Sequence, residues 1–107
     1  MQFNELIKEI KTVVFEELRK DEDNYFEAVV SNHRLADLTA ILEKSFGLPV
    51  WPFKNKLTSL MKKAIKDFGD IREGQILYWN EENGVVIAML WPWQDGVGTT
   101  VKIIKRE

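Results

Sequence analysis

Apolar positions recur along the chain first at helical intervals and then in short alternating runs. This order divides it into a helical part, about residues 4–69, and a β-meander, about 75–105. Phe3, Leu6, Ile7, Ile10, Val13, Val14 and Leu18 fall at spacings of three and four and predict a helix over about 4–20. Asn4 is placed to cap its start, and Arg19 and Lys20 stand where positive charge complements the terminal carbonyls. Phe15 lies off the stripe and must either meet another element or remain exposed. Asp21, Glu22, Asp23 and Asn24 then form a polar break. That run lacks the alternate-position acids, central glycine and closing glutamate of an EF-hand loop, so it reads as hydrated chain and no metal is expected.

Tyr25–Val30 is short and ends in two β-branched residues, which favours a strand over a helix. Leu35, Leu38, Ile41, Leu42 and Phe46 make a second amphipathic helix, with Ser31 or Asn32 as its cap and Gly47 and Pro49 as its stop. The connection 47–53 carries Val50, Trp51 and Phe53 and is too apolar to be a free linker. A third helix is predicted over about 55–68, with Leu57, Leu60, Met61, Ala64, Ile65 and Phe68 on one face and Gly69 as its terminator.

In the meander, Glu82, Asn83 and Gly84 suit a three-residue loop that sets Glu81 opposite Val85, whereas a two-residue Asn-Gly loop would shift the pairing by one. Leu77 and Trp79 then share a face with Ile87, Met89 and Trp91, while Ile76 and Tyr78 share the other with Val86, Ala88 and Leu90. Placing Trp93 opposite Thr99 adds Val101 and Ile103 to the tryptophan face and Thr100, Lys102 and Ile104 to the other. The expected fold is therefore α+β: three amphipathic helices packed on the tryptophan face of a three-stranded antiparallel sheet, four-stranded with Tyr25–Val30. The other face keeps enough apolar area to want a cover, either the first helix or a second copy of the chain in a homodimer.

With 107 residues, 45% hydrophobic and 30% charged, the chain is expected to be a single globular domain with one core. No segment approaches the roughly 18 apolar residues of a membrane span, and the first residues carry acids instead of a basic-then-apolar leader. A soluble cytoplasmic protein without membrane contact is the expectation. The absence of cysteine removes disulfides, thiolate metal sites and cysteine nucleophiles. Net charge is −2, and residues 1–53 hold ten acids against six bases while 54–107 hold seven against nine. So slight a basic excess disfavours a nucleic-acid partner.

Candidate chemistry is sparse. His33, the single histidine, stands beside Arg34 and Asp37 without any recognisable nucleophile turn, and neither G-x-G-x-x-G nor the P-loop spacing occurs, so no catalytic residue and no cofactor are assigned. An enzyme would have only His33, Tyr78 and scattered carboxylates to work with. Lys56, Lys62, Lys63 and Lys66 form an acid-free helix face suited to an acidic protein or a phosphate backbone. Trp91-Pro92-Trp93 is the more specific feature, because the proline must end or bulge its strand and lift Trp93, Gln94 and Asp95 toward a glycine-rich loop. With Trp51 from the second Trp-Pro-aromatic step, Trp51, Trp91, Trp93 and Asp95 make an aromatic lip. The leading expectation is a small binding module whose lip takes a protein or a small apolar ligand.

Overall fold

A computed structural model of the chain describes residues 2–51, 58–66, 74–82 and 84–106. Helix α1 (Phe3–Ile10) leads into strands β1 (Glu17–Asp21) and β2 (Tyr25–Ser31), then helices α2 (Leu35–Phe46) and α3 (Ser59–Ile65). Strands β3 (Ile76–Asn80), β4 (Val85–Pro92) and β5 (Gly98–Arg106) follow. All pairings are antiparallel, in one sheet of order β1-β2-β5-β4-β3. The α+β class is as expected, but among the described residues the sheet has five strands instead of three or four.

The added strand comes from the second half of the expected first helix. After Ile10 the backbone tightens to three-residue hydrogen bonds, Thr12 N–H to Glu9 and Val13 N–H to Ile10, and Thr12 Oγ1 also donates to the Glu9 carbonyl. Three β-branched residues in a row, Thr12, Val13 and Val14, are poor helix extenders. The helical stripe continued past them only in spacing, since Val14 is 63% and Leu18 55% exposed. Phe15 meets β2, its ring 5.7 Å from that of Phe26. Asn4 lies inside α1 and does not cap it, because the cap position is Gln2. Arg19 and Lys20 belong to β1, a wholly exposed, mostly charged strand with a bulge between Leu18 and Lys20, features that protect a sheet edge from other chains.

Helix α2 spans the predicted stripe and ends at Gly47 with φ 80°. Its cap differs from expectation. Arg34 holds the cap position without a side-chain bond, Ser31 Oγ accepts from the His33 N–H, and Asn32 is engaged elsewhere. Thr58 caps α3 by accepting from the Met61 N–H at 3.1 Å. The predicted outer parts of this helix, including Lys56, Leu57, Phe68 and Gly69, lie outside the described residues.

Register decides which residues share a face. The first hairpin pairs Trp79 with Ile87 and Leu77 with Met89, as the three-residue loop with Gly84 at positive φ required. The second is one residue out from expectation, because Pro92, not Trp93, is opposite Thr99. A one-residue slip moves every side chain of a strand to the other face. Val101 and Ile103 therefore join Tyr78, Ala88 and Leu90, while Thr100, Lys102 and Ile104 join Ile87, Met89 and Trp91.

The layering changes accordingly. Phe3, Leu6, Ile7 and Ile10 of α1 and Leu38 and Leu42 of α2 pack with Phe26, Ala28, Val30, Tyr78, Leu90 and Ile103 into one core. The opposite face has a smaller core of Val50, Ala64 and Ile65 over Leu77, Trp79, Ile87, Met89 and Ile104. The helices do not share the tryptophan face: α1 and α2 cover one side, and α3 with the Val50–Trp51 segment covers the other. The face holding Tyr78, Ala88 and Leu90 is closed within the chain, so its apolar surface does not call for a second copy.

Candidate functional site

The β4–β5 connection is a turn held by several hydrogen bonds, within itself and from Asn32. The Trp93 N–H donates to the Gly98 carbonyl at 2.9 Å, and the Gly96 N–H to the Trp93 carbonyl at 3.1 Å, with Gly96 at φ 73° where a side chain would be strained. Asp95 Oδ1 accepts from the Val97 N–H at 2.9 Å. Asn32, just past the end of β2, ties this turn down from the side. Its backbone N–H donates to the Val97 carbonyl, its Nδ2 donates to the Gly96 carbonyl at 2.7 Å, and its Oδ1 accepts from Thr99 Oγ1 at 2.9 Å. The glycines thus make the tip tight instead of mobile.

This frame presents apolar surface beside exposed Gln94 and Asp95. Trp93 is 40% and Val97 64% exposed, with Pro92 exposed beside them. The Trp93 indole lies along β5, its Nε1 donating to Thr100 Oγ1 at 2.9 Å. Thr100 pairs with Trp91, so the two tryptophans flank one threonine on the same side of the sheet. Trp91 is half-buried against the α3-side core, its Nε1 is buried without an acceptor among the described residues, and Lys102 Nζ stands 3.9 Å from its ring centroid. Trp51 is placed apart from the tip. It bridges Leu77 at the outer edge of β3 through paired backbone hydrogen bonds, and joins the same apolar cluster as Trp91. Of the four predicted lip residues, Trp91, Trp93 and Asp95 converge on the β4–β5 end, and Trp51 closes the far edge. Pro52 and Phe53 lie outside the described residues.

Beyond α3 the same sheet face becomes polar. Across β5, β2 and β1 run Lys102, its pair Glu27, and Arg19, which bonds both Glu17 and Glu27. Burial works to raise the Glu27 carboxyl, but the Tyr25 hydroxyl, Lys102 and Arg19 outweigh it and hold the group below the usual carboxylate range. Burial and the Glu27 carboxylate push the Tyr25 hydroxyl up. A raised phenol is a poor nucleophile or base at neutral pH, so the row reads as an ionic ladder rather than reaction machinery. Sequence reasoning missed it because β1 was read as helix and β5 one residue out of register.

The remaining candidates are scattered. His33 is exposed in the turn before α2, while Tyr78 lies in the opposite core, its hydroxyl pushed up to about 12 by burial and by Glu43. Lys62, Lys63 and Lys66 are exposed on α3, as the stripe implied, and Lys56 lies outside the described residues. A groove of about 310 Å³ between α1 and the β1–β2 turn is crossed by the Lys11–Asp21 ion pair. Among the described residues no three His, Cys, Asp or Glu gather to hold a metal ion, and no helix is long and apolar enough to cross a membrane.

Fold and surface together define a small α+β domain whose antiparallel sheet is closed by two helices on one side and carries a clamped aromatic tip on the other. Set against family models, curated proteins and solved structures, the chain matches none.

Proposed function

We propose that the chain is a small interaction module that docks a segment of another protein on its β4–β5 tip, with Trp93 as the anchor and Pro92, Val97 and Asp95 around it. One observation carries the reading: a tryptophan 40% exposed on a turn whose conformation is fixed by Asn32 and Asp95. Binding energy concentrates in a few large aromatic anchors, and a rigid presentation lowers the entropy lost on docking. Trp91 supports the tip from the apolar cluster on the α3 side, and Trp51 joins that cluster from the far edge. Selection of peptides from a random display library on the folded domain tests this. Selected peptides should lose binding to Trp93→Ala and to Val97→Asp, the latter with an unchanged thermal midpoint. Peptides indifferent to both substitutions would remove the tip from the account.

A second reading has its own observation. Lys62, Lys63 and Lys66 have no ionic partner among the described residues, whereas Lys11, Lys20, Lys44 and Arg19 each have one. These free lysines, beside exposed Leu60, suit an acidic protein surface or a nucleic acid. Ionic strength separates the readings, because docking through several lysines weakens steeply with salt while an indole anchor is little affected.

A further inference from the structure

We propose that the segment docked on the tip presents a cationic side chain, arginine or lysine, to the open face of Trp93, with Asp95 as its counter-ion. The inference rests on reading the tip as the contact surface and adds the chemistry of its partner. A Cβ built on Gly98 would come within 3.1 Å of Trp93 Cε3 and 3.2 Å of Cζ3, so the indole rests directly on the glycine backbone. Its N–H edge is used by Thr100. Trp93 is still 40% exposed although one side of its ring meets the backbone and its polar edge is engaged, so the face turned from Gly98 is the one proposed to meet a partner. The face of an indole carries the negative part of its quadrupole and attracts ammonium and guanidinium groups. The chain itself makes this contact one strand pair inward, where Lys102 stands over Trp91.

Asp95 supplies the charge. It is exposed, and its Oδ1 holds the Val97 N–H. Among the described residues it makes no ion pair, as is also true of Glu5, Glu16, Asp23, Asp37, Glu43 and Glu81, but of these it is the one in the tip. An uncompensated carboxylate two residues from an open indole, in one rigid turn, matches a cation with an apolar stem. A small apolar ligand or a neutral peptide would desolvate that carboxylate without pairing it, which is unfavourable, so the same group selects against both.

The test uses three acetylated, amidated pentapeptides that differ only in a central arginine, citrulline or leucine, titrated into the full chain while the Trp93 indole N–H and the Val97 amide are followed by NMR. The arginine peptide is expected to shift both signals saturably and to bind about fivefold more tightly than the citrulline peptide. Asp95→Asn, which retains the oxygen that accepts from Val97, should remove that preference without changing the thermal midpoint. Equal binding of arginine and citrulline peptides, or an arginine preference that survives Asp95→Asn, overturns the cationic partner. Tighter binding of the leucine peptide at the same signals also overturns it while leaving the tip as a contact surface. If no peptide moves these signals the cationic partner is again overturned, and the tip itself then stands or falls on the display selection.

Discussion

The two faces of the sheet are built on the same strands and are closed in different ways. On the α1 and α2 side, Phe26, Ala28, Leu90, Val101 and Ile103 are fully buried in an apolar cluster with both helices. On the α3 side, aliphatic packing over β3 and β4 gives way to Thr100, Lys102, Glu27 and Arg19, and then to the Trp93 tip at the strand ends. The contrast is one of labour: the first face supplies most of the folding energy, while the second carries polar and aromatic groups whose cost is tolerable only near water or a partner.

The sharpest way to break that contrast is to cut into both faces along one strand pair. Leu90→Ala, in the closed core, is expected to cost about 3 kcal/mol by urea unfolding. Lys102→Ala, on the other side of the neighbouring strand, should cost less than about 1 kcal/mol, because its charge contacts are near the surface. Comparable losses would mean that the α3 side is as much a core as its opposite.

Asn32→Ala comes next in size. It removes two side-chain hydrogen bonds to the tip, at about 1 kcal/mol each, and amide exchange at Gly96 and Val97 should rise more than in the central strands. If stability falls and exchange at the tip does not change, Asn32 supports the α2 corner and not the tip.

A smaller effect compares two indoles. Trp79 Nε1 donates to Glu81 at 3.0 Å, whereas Trp91 Nε1 is buried without an acceptor among the described residues. Replacing each by Phe loses similar ring area, but only Trp91→Phe also relieves an unpaired buried donor, worth about 1–3 kcal/mol. Trp91→Phe should therefore be the milder change in thermal melts by at least about 1 kcal/mol. The reverse order would place an acceptor at Trp91.

Acid and base give the smallest effects, with Glu27 and Tyr25 on the open side and Tyr78 on the closed side. The Glu27 carboxyl, on the open side, is depressed in the folded chain, so its contribution is present above its unfolded value near about 4.3 and is lost as pH falls through the lower folded value. Glu27→Gln should flatten that acid limb. Tyr78, on the closed side, is raised to about 12, so its contribution is complete below about pH 10 and is lost as pH rises toward the folded value. Tyr78→Phe should flatten the alkaline limb and leave the acid limb alone. Unchanged limbs in these two variants would contradict the two environments.

Much of this was legible in the chain, for reasons that particular residues make plain. The α2 stripe ran unbroken to Gly47, and the Gly84 turn fixed the β3–β4 register, because a short loop leaves few alternatives. The first helix was overextended because Val13, Val14 and Leu18 keep a helical spacing while occupying a turn and an edge strand. The β4–β5 register was missed because a Pro–Trp step and two glycines allow more than one loop length, and the choice rested on hydrogen bonds from Asn32, distant in sequence. The same distant residue decided that the tip is clamped. Trp93 and Asp95 were identifiable as candidates from the Trp-Pro-Trp step, whereas the partition of the helices over both faces depended on the slipped register.

The central claim is that the tip is held ready rather than folded on contact. Backbone ¹⁵N relaxation across Trp93–Gly98 tests it most directly. The account predicts order parameters near those of β4 and β5, about 0.85, in the free chain. Values below about 0.6 at Asp95, Gly96 and Val97 would contradict it, because an anchor on a mobile loop has no preorganised surface to offer.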